Sequence, residues 1–169
     1  MRALNIADLR MMARRRLPRG LFEFIDRGCE DEVALNHNRE ALIGAKLAPR
    51  ILSDVSTRSL AIELFGKQQS MPLAIAPTGP AGFLWHRGEV ALARAAAQAG
   101  IPFTLASPAT AAMEEVIPDG GGRQWFQLYM WRDRDMSYRI VERAEIAGFD
   151  ALMLTVNDHR RWQGRIPLA

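Results

Sequence analysis

The chain has 169 residues, 49% hydrophobic and 24% charged, with 22 basic against 19 acidic side chains and a net charge of +3. This is globular composition at ordinary domain size, and it excludes wholesale disorder, collagen and coiled coil. Apolar runs such as Pro72-Leu73-Ala74-Ile75-Ala76 are broken by proline, glycine or charge, and none approaches the ~20 residues of a membrane span. The N-terminus, Met1-Arg2-Ala3-Leu4-Asn5-Ile6, has no long apolar stretch of a secretory signal. The single cysteine, Cys29, rules out an internal disulfide and fits a reducing compartment. A cytoplasmic location is expected, with association to the inner membrane left open.

Residues 1–70 read as a helical N-terminal segment. Asn5 or Asp8 caps a first helix that runs to Arg14-Arg15-Arg16. Pro18 ends it or opens a second helix, in which Leu21, Phe22, Phe24 and Ile25 fall near helical spacing and which Gly28 stops. Glu30 to Leu42 forms a third, more polar helix. From 71 to 156 the pattern changes to four βα units. Buried strands are expected at Pro72–Ala76, Ile101–Leu105, Trp125–Met130 and Ala151–Val156. Helices are expected at Gly88–Ala99, Ala111–Val116 and Asp133–Ala147. Apolar strands with helical crossovers predict a parallel sheet covered on its faces. The fold class is therefore α/β, the N-terminal half of a (β/α)8 TIM barrel preceded by a helical segment, since a closed barrel needs ~200–250 residues or more. Residues 157–169 read as a divergent tail, with no helix to cover the fourth strand. Open strand edges and bare apolar faces invite copies of the chain to associate.

Chemistry in parallel βα folds sits beyond the C-terminal ends of the strands. The polar residues follow that rule: Pro77-Thr78-Gly79 after the first strand, Ala106-Ser107 after the second, Gln127 and Tyr129 on the third, Thr155 and Asn157 at the end of the fourth. Residues two apart on a strand share a face, so a Gln, a Tyr, a Thr and an Asn converge on one rim. This constellation makes hydrogen bonds and carries little charge, which suits a flat, uncharged ligand better than a metal. His37, His86 and His159 lack metal-ligand spacing to one another or to Cys29. Arg14-Arg15-Arg16 points to several faces of a helix without interleaved aromatics, so nucleic acid is not an expected partner.

On these residues the chain resembles the N-terminal half of the FMN-dependent 2-hydroxy-acid dehydrogenases and oxidases, the family of glycolate oxidase, L-lactate dehydrogenase and (S)-mandelate dehydrogenase. The resemblance spans about residues 5–157. Its motifs are Arg16-Leu17-Pro18, Gly28 to Asp31, Asn38-Arg39, Leu47 to Val55 and Ser70-Met71-Pro72 through Gly79. It continues with Ala91 to Gly100, Phe126-Gln127-Leu128-Tyr129 and Arg143-Ala144 through Val156. The Ser70–Gly79 stretch looks closest to the mandelate and lactate branch. The resemblance implies an FMN cofactor and a small 2-hydroxy-acid substrate. It implies that Pro77, Thr78 and Gly79 lay backbone against the flavin, and that Ala106, Gln127 and Thr155 also face it. Tyr129 would then bind substrate and stabilise charge on its oxygen, and Asn157 would be a second catalytic position.

The chain departs from the family in four ways. Phe24 stands where a Tyr binds the substrate carboxylate. Ala106 replaces a Ser that contacts flavin. Asn157 replaces the Asp that pairs with a catalytic His, and a neutral amide cannot stabilise an imidazolium as a carboxylate does. The family's later half, with its Lys, His base, substrate Arg and phosphate loops, has no match, and the path is expected to leave the family after about Val156. The expected function is FMN-dependent oxidation of a 2-hydroxy acid, carried here as a truncated, inactive half with weak or absent flavin binding. The alternative is a non-enzymatic remnant that forms homo-oligomers through open sheet edges.

Overall fold

The structure, a computed structural model, describes residues 3–156. The chain divides into two compact units between Thr57 and Arg58.

The first unit is helical. Helix α1 (Ile6–Arg16) is capped by Asn5, whose side-chain oxygen accepts from the Asp8 N–H at 2.9 Å. The three arginines occupy its last turn, where positive charge meets the negative end of the helix dipole. Helix α2 (Arg19–Asp26) begins after Pro18. It is tied to α1 by the Arg10 guanidinium, which donates to both carboxylate oxygens of Asp26. Helix α3 (Val33–Gly44) starts later than the sequence predicts, because Glu30 and Glu32 adopt positive φ and turn the chain before it. No side chain in these three helices is fully buried.

The second unit opens with a feature the sequence reading lacks. Strands β1 (Ile62–Leu64) and β2 (Lys67–Gln69) form an antiparallel hairpin, so residues 1–70 are not uniformly helical. Phe65 and Gly66 both take left-handed φ, as a two-residue type I′ turn requires. Next comes the predicted strand Pro72–Ala76, which is reduced to one parallel bridge. The Ile75 N–H donates to the Pro102 carbonyl (2.8 Å) and the Thr104 N–H to the Ile75 carbonyl (3.0 Å). Proline at 72 and 77 removes the donors that would extend a ladder at either end.

A three-stranded parallel sheet follows, in the order β3 (Phe103–Leu105), β4 (Gln124–Tyr129), β5 (Ala151–Thr155). Helices α4 (Gly88–Ala99), α5 (Met113–Gly120) and α6 (Arg134–Ala147) connect its members. Gly100 and Gly148 close α4 and α6 in the left-handed conformation. Helix α5 runs past Pro118 to Gly120, longer than predicted. The Gln124 side-chain amide donates to the carbonyls of Val116, Ile117 and Gly121 at 3.1–3.2 Å and so satisfies its C-terminal end. The architecture is an α/β fragment with part of a parallel sheet; closure into a barrel lies beyond the described residues.

The register assigns the two faces. Phe103, Leu105, Phe126 and Leu128 face Val90, Ala93, Ala96, Met113, Val116 and Ala144 of the helices, and this is the core. On the same face of β5, Leu152 is 47% exposed and Leu154 49% exposed. At the N-terminal strand ends the hairpin is fastened down. Arg123 donates to Asp150 (2.9 Å) and to the Leu64 carbonyl (2.8 Å), and Lys67 donates to the same Asp150 (2.6 Å). The guanidinium also lies 5.5 Å from the centre of the Trp125 ring, itself in edge contact with Phe65. The C-terminal strand ends are thereby left as the face that can carry chemistry.

This assignment predicts a contrast measurable by urea unfolding. Leu128→Ala, at the centre of the core, should cost about 2–5 kcal/mol. Leu154→Ala, half-exposed on the uncovered strand, should cost less than about 1 kcal/mol.

Candidate active site

Strand alternation on β4 sends Phe126 and Leu128 to the helices, and Gln127 and Tyr129 to the other face. Gln127 is 2% exposed. Its amide is held from both sides: the Ser107 N–H donates to its side-chain oxygen (3.0 Å), and its amide nitrogen donates to the Thr155 hydroxyl (2.9 Å). Gln127 and Thr155 meet diagonally, because Tyr129 is the register partner of Thr155 and Gln127 that of Met153. The Gln127 amide and the Thr155 hydroxyl thereby place neutral donor and acceptor groups at the rim.

Ser107 makes two further bonds. Its hydroxyl donates to the Gln127 carbonyl (2.6 Å) and accepts from the Tyr129 N–H (3.2 Å). Beyond the last β3–β4 register pair, Leu105 with Phe126, the serine thus takes over from the ladder. The sequence placed Ser107 beside the site but gave it no role; a hydroxyl just past a strand end was the available signal.

Half-exposed Pro77 and exposed Thr78 and Gly79 follow the Ile75 bridge. A methyl group at Gly79 would meet the Ala106 side chain at 3.1 Å and the Pro108 carbonyl at 3.2 Å, so the loops after the first two strand positions touch here. Ala106 is buried. The second unit therefore brings together Pro77, Thr78, Gly79, Ala106, Gln127, Tyr129 and Thr155 at the C-terminal strand ends. Phe24 belongs to the first unit, where it is 76% exposed on α2. Asn157 lies outside the described residues.

Next to this rim sits a buried carboxylate that the sequence reading passed over. Glu89, in the first turn of α4, is fully buried. It accepts from the N–H groups of Gly82 (3.2 Å) and Thr110 (3.0 Å) and from the Thr110 hydroxyl (3.0 Å). Burial pushes its pKa up. The N–H groups of Thr110, Glu89 itself and Gly82, with the Thr110 hydroxyl, outweigh that and hold the carboxyl below its ordinary value. A glutamate in a first helical turn reads from sequence as a partner of the helix dipole, which conceals its burial.

The FMN-dependent dehydrogenase family model matches residues 13–165. The chain belongs to that family. The match runs past Val156, where the sequence reading expects the departure. L-lactate dehydrogenase of Chromohalobacter salexigens is 46% identical over 150 residues, covering 89% of this chain and 38% of that protein. (S)-mandelate dehydrogenase of Pseudomonas putida is 41% identical over 153 residues, covering 90% and 39%. A solved structure of a soluble mutant of that membrane-associated enzyme superposes with a TM-score of 0.88 at 41% identity, over 93% of this chain and 45% of that one. Another solved relative is described as a monotopic membrane protein. Among the described residues of this family member, no helix is long and apolar enough to cross a membrane. The chain spans about two-fifths of the length of the curated relatives it matches.

FMN is the family's cofactor, and the rim has the chemistry for its ring. Gln127 and Thr155 offer neutral donors and acceptors, and Gly79 offers side-chain-free backbone. None of the seven rim residues is cationic, so this set holds no partner for the phosphate.

Two outcomes follow. Gln127→Leu removes the acceptor of Ser107 N–H and the donor to Thr155, and should lower stability by about 1–3 kcal/mol in urea titration. Glu89 has a depressed folded pKa, so its stabilisation is complete above the ordinary value of 4.5 and is lost as pH falls through the folded value. Wild-type stability should therefore fall more steeply below pH 4.5 than that of Glu89→Gln in acid titrations followed by circular dichroism.

Proposed function

We propose that this chain supplies the flavin-ring and substrate-facing half of an FMN-dependent 2-hydroxy-acid dehydrogenase of the L-lactate or mandelate type. The observation that carries this reading is the buried Gln127 amide, held between Ser107 and Thr155 at adjacent parallel strand ends in a chain of this family. Backbone at Pro77–Gly79 and the side chains of Ala106, Gln127 and Thr155 would hold the ring. The chemistry FMN supplies when bound is acceptance of two electrons from the 2-hydroxy acid. Tyr129, next along the same face of β4, would donate its phenolic hydrogen to the substrate oxygen, orienting it and stabilising developing charge. None of the rim side chains is basic enough to take the hydroxyl proton near neutral pH. Asn157 would orient a histidine without stabilising its charged form. The sequence holds no His-Gly-x-Arg pattern to provide that base. We therefore infer that residues 1–169 alone bind FMN weakly and do not turn over substrate, and that activity requires the complementary barrel half.

Complementation tests this reading. Residues 1–169 co-expressed with the C-terminal half of P. putida (S)-mandelate dehydrogenase should yield a yellow complex that oxidises L-lactate or (S)-mandelate. Tyr129→Phe in that complex should lower kcat/KM about 10- to 100-fold, the loss of one hydrogen bond to developing charge. The chain alone should purify colourless. Stoichiometric FMN and turnover by the chain alone would overturn the inferred inactivity. Colourless oligomers in both preparations would favour association through the exposed β5 residues Leu152 and Leu154 instead.

A further inference from the structure

The two loops that meet at the rim are joined at a second place, and the joint is Glu89. The first loop, residues 77–87, includes the 3-10 turn Ala81–Phe83. The second, residues 106–112, leads from β3 to α5. They touch where Gly79 approaches Ala106 and Pro108, and again where Gly82 approaches Thr110. A methyl group on Gly82 would lie 1.9 Å from the Thr110 hydroxyl oxygen, and one on Gly88 would lie 2.4 Å from the Ala81 carbonyl oxygen. Only glycine permits this approach at either position. Between the loops stands the Glu89 carboxylate, taking one N–H from the first and an N–H and a hydroxyl from the second. Among the described residues no lysine or arginine is one of its partners, and these neutral donors together with its own N–H compensate a fully buried charge. Hydrogen bonds to an ionised acceptor are stronger than neutral ones, and here three of them, at 3.0–3.2 Å, converge on one carboxylate. The flavin and substrate contacts proposed above make no use of this carboxylate.

We propose that Glu89 is a positioning residue: it clamps the two loops into one rigid piece and thereby sets the spacing of the rim atoms at Gly79, Ala106 and Ser107. The clamp is a property of the loops; its consequence for FMN rests on the function proposed above. The carboxylate sits at the start of α4, a helix packed into the core through Val90, Ala93 and Ala96, so the clamp is anchored to the sheet. Ser107 is the reporter. Its N–H bonds Gln127, not Glu89, so its protection changes only if loss of the clamp moves the rim.

Amide hydrogen exchange on the full chain, resolved by NMR, reads this directly. In Glu89→Ala, the Gly82, Thr110 and Ser107 amides should exchange about tenfold faster or more, the loss of charge-assisted bonds to one group. Strand amides at 125–128 and 152–155 should stay within about twofold of wild type. Glu89→Gln keeps acceptor oxygen at the same place and should restore Ser107 protection. Should Glu89→Ala fail to fold, Thr110→Val removes only the hydroxyl arm and should loosen the same three amides to a smaller extent. A change confined to Gly82 and Thr110, or a uniform rise across the strands, overturns the positioning role. In the complemented complex, Glu89→Ala should weaken FMN binding about tenfold, read by flavin fluorescence. Unchanged FMN affinity in a complex whose Ser107 amide has loosened would sever the clamp from the flavin site. A wild-type complex that takes up no FMN would sink the proposed function and leave the exchange result to decide the clamp.

Discussion

Side-chain alternation along β4 is the constraint from which the second unit is built. Every other residue, Gln124, Phe126 and Leu128, is committed to the helix face, where α4, α5 and α6 exclude water. The residues between, Trp125, Gln127 and Tyr129, are then forced together onto the opposite face without any further instruction. A slip of one residue would bury the amide and phenol among aliphatic side chains and expose two large apolar groups. The register is therefore fixed by hydrophobic burial on one face, and the polar rim inherits its geometry from that burial. The short bonds among Ser107, Gln127 and Thr155 refine a placement that the core has already made.

The two ends of the sheet are stabilised by different physics, and this divides stability from chemistry. At the N-terminal end, Arg123 and Lys67 converge on Asp150, and an aromatic pair covers the guanidinium. Arg123 is largely buried there, so its charge is screened less by solvent than that of a surface pair. At the C-terminal end, the bonds are mostly between neutral groups and backbone, and the one buried charge among the described residues, Glu89, is compensated by hydrogen-bond donors rather than by a cation. The described rim side chains Gln127, Tyr129 and Thr155 are uncharged and keep neutral donors and acceptors at the rim. That is the environment in which an uncharged heterocycle can compete for hydrogen bonds with the protein itself.

What could be read from the sequence follows from how strongly each element is patterned. Helix α4, strand β4 and helix α6 fall within a residue or so of their predicted limits, because glycines end both helices and apolar runs define the strand. The hairpin was hidden because its turn uses Phe65 in left-handed conformation, where sequence reasoning looks for Asn, Asp or Gly. The strand expected at 72–76 is reduced to a single bridge. Composition signals burial at 72–76, but backbone donors make a ladder, and proline removes them. In the site, Gln127, Tyr129 and Thr155 were legible from period-two spacing alone. Glu89 was not, since its partners come from two loops 7 and 21 residues away in sequence and no local pattern records them.

The exposed flank of β5 gives the fragment its last physical consequence. Leu152 and Leu154 lie in a strand that among the described residues pairs on one side only, and they continue the face that helices cover elsewhere. Thr155, on the other face of the same strand, is an arm of the Gln127 bridge. The rim thus depends on the strand with the least covered core side chains in the sheet. Whatever covers Leu152 and Leu154 raises the order of β5, and with it the order of the Thr155 hydroxyl and the Gln127 amide it meets. Completion of the hydrophobic layer and ordering of the Gln127–Thr155 hydrogen bond are one event seen from opposite faces of one strand. This coupling is the physical basis of the proposal that cofactor affinity depends on the complementary half and not only on the number of rim residues already present.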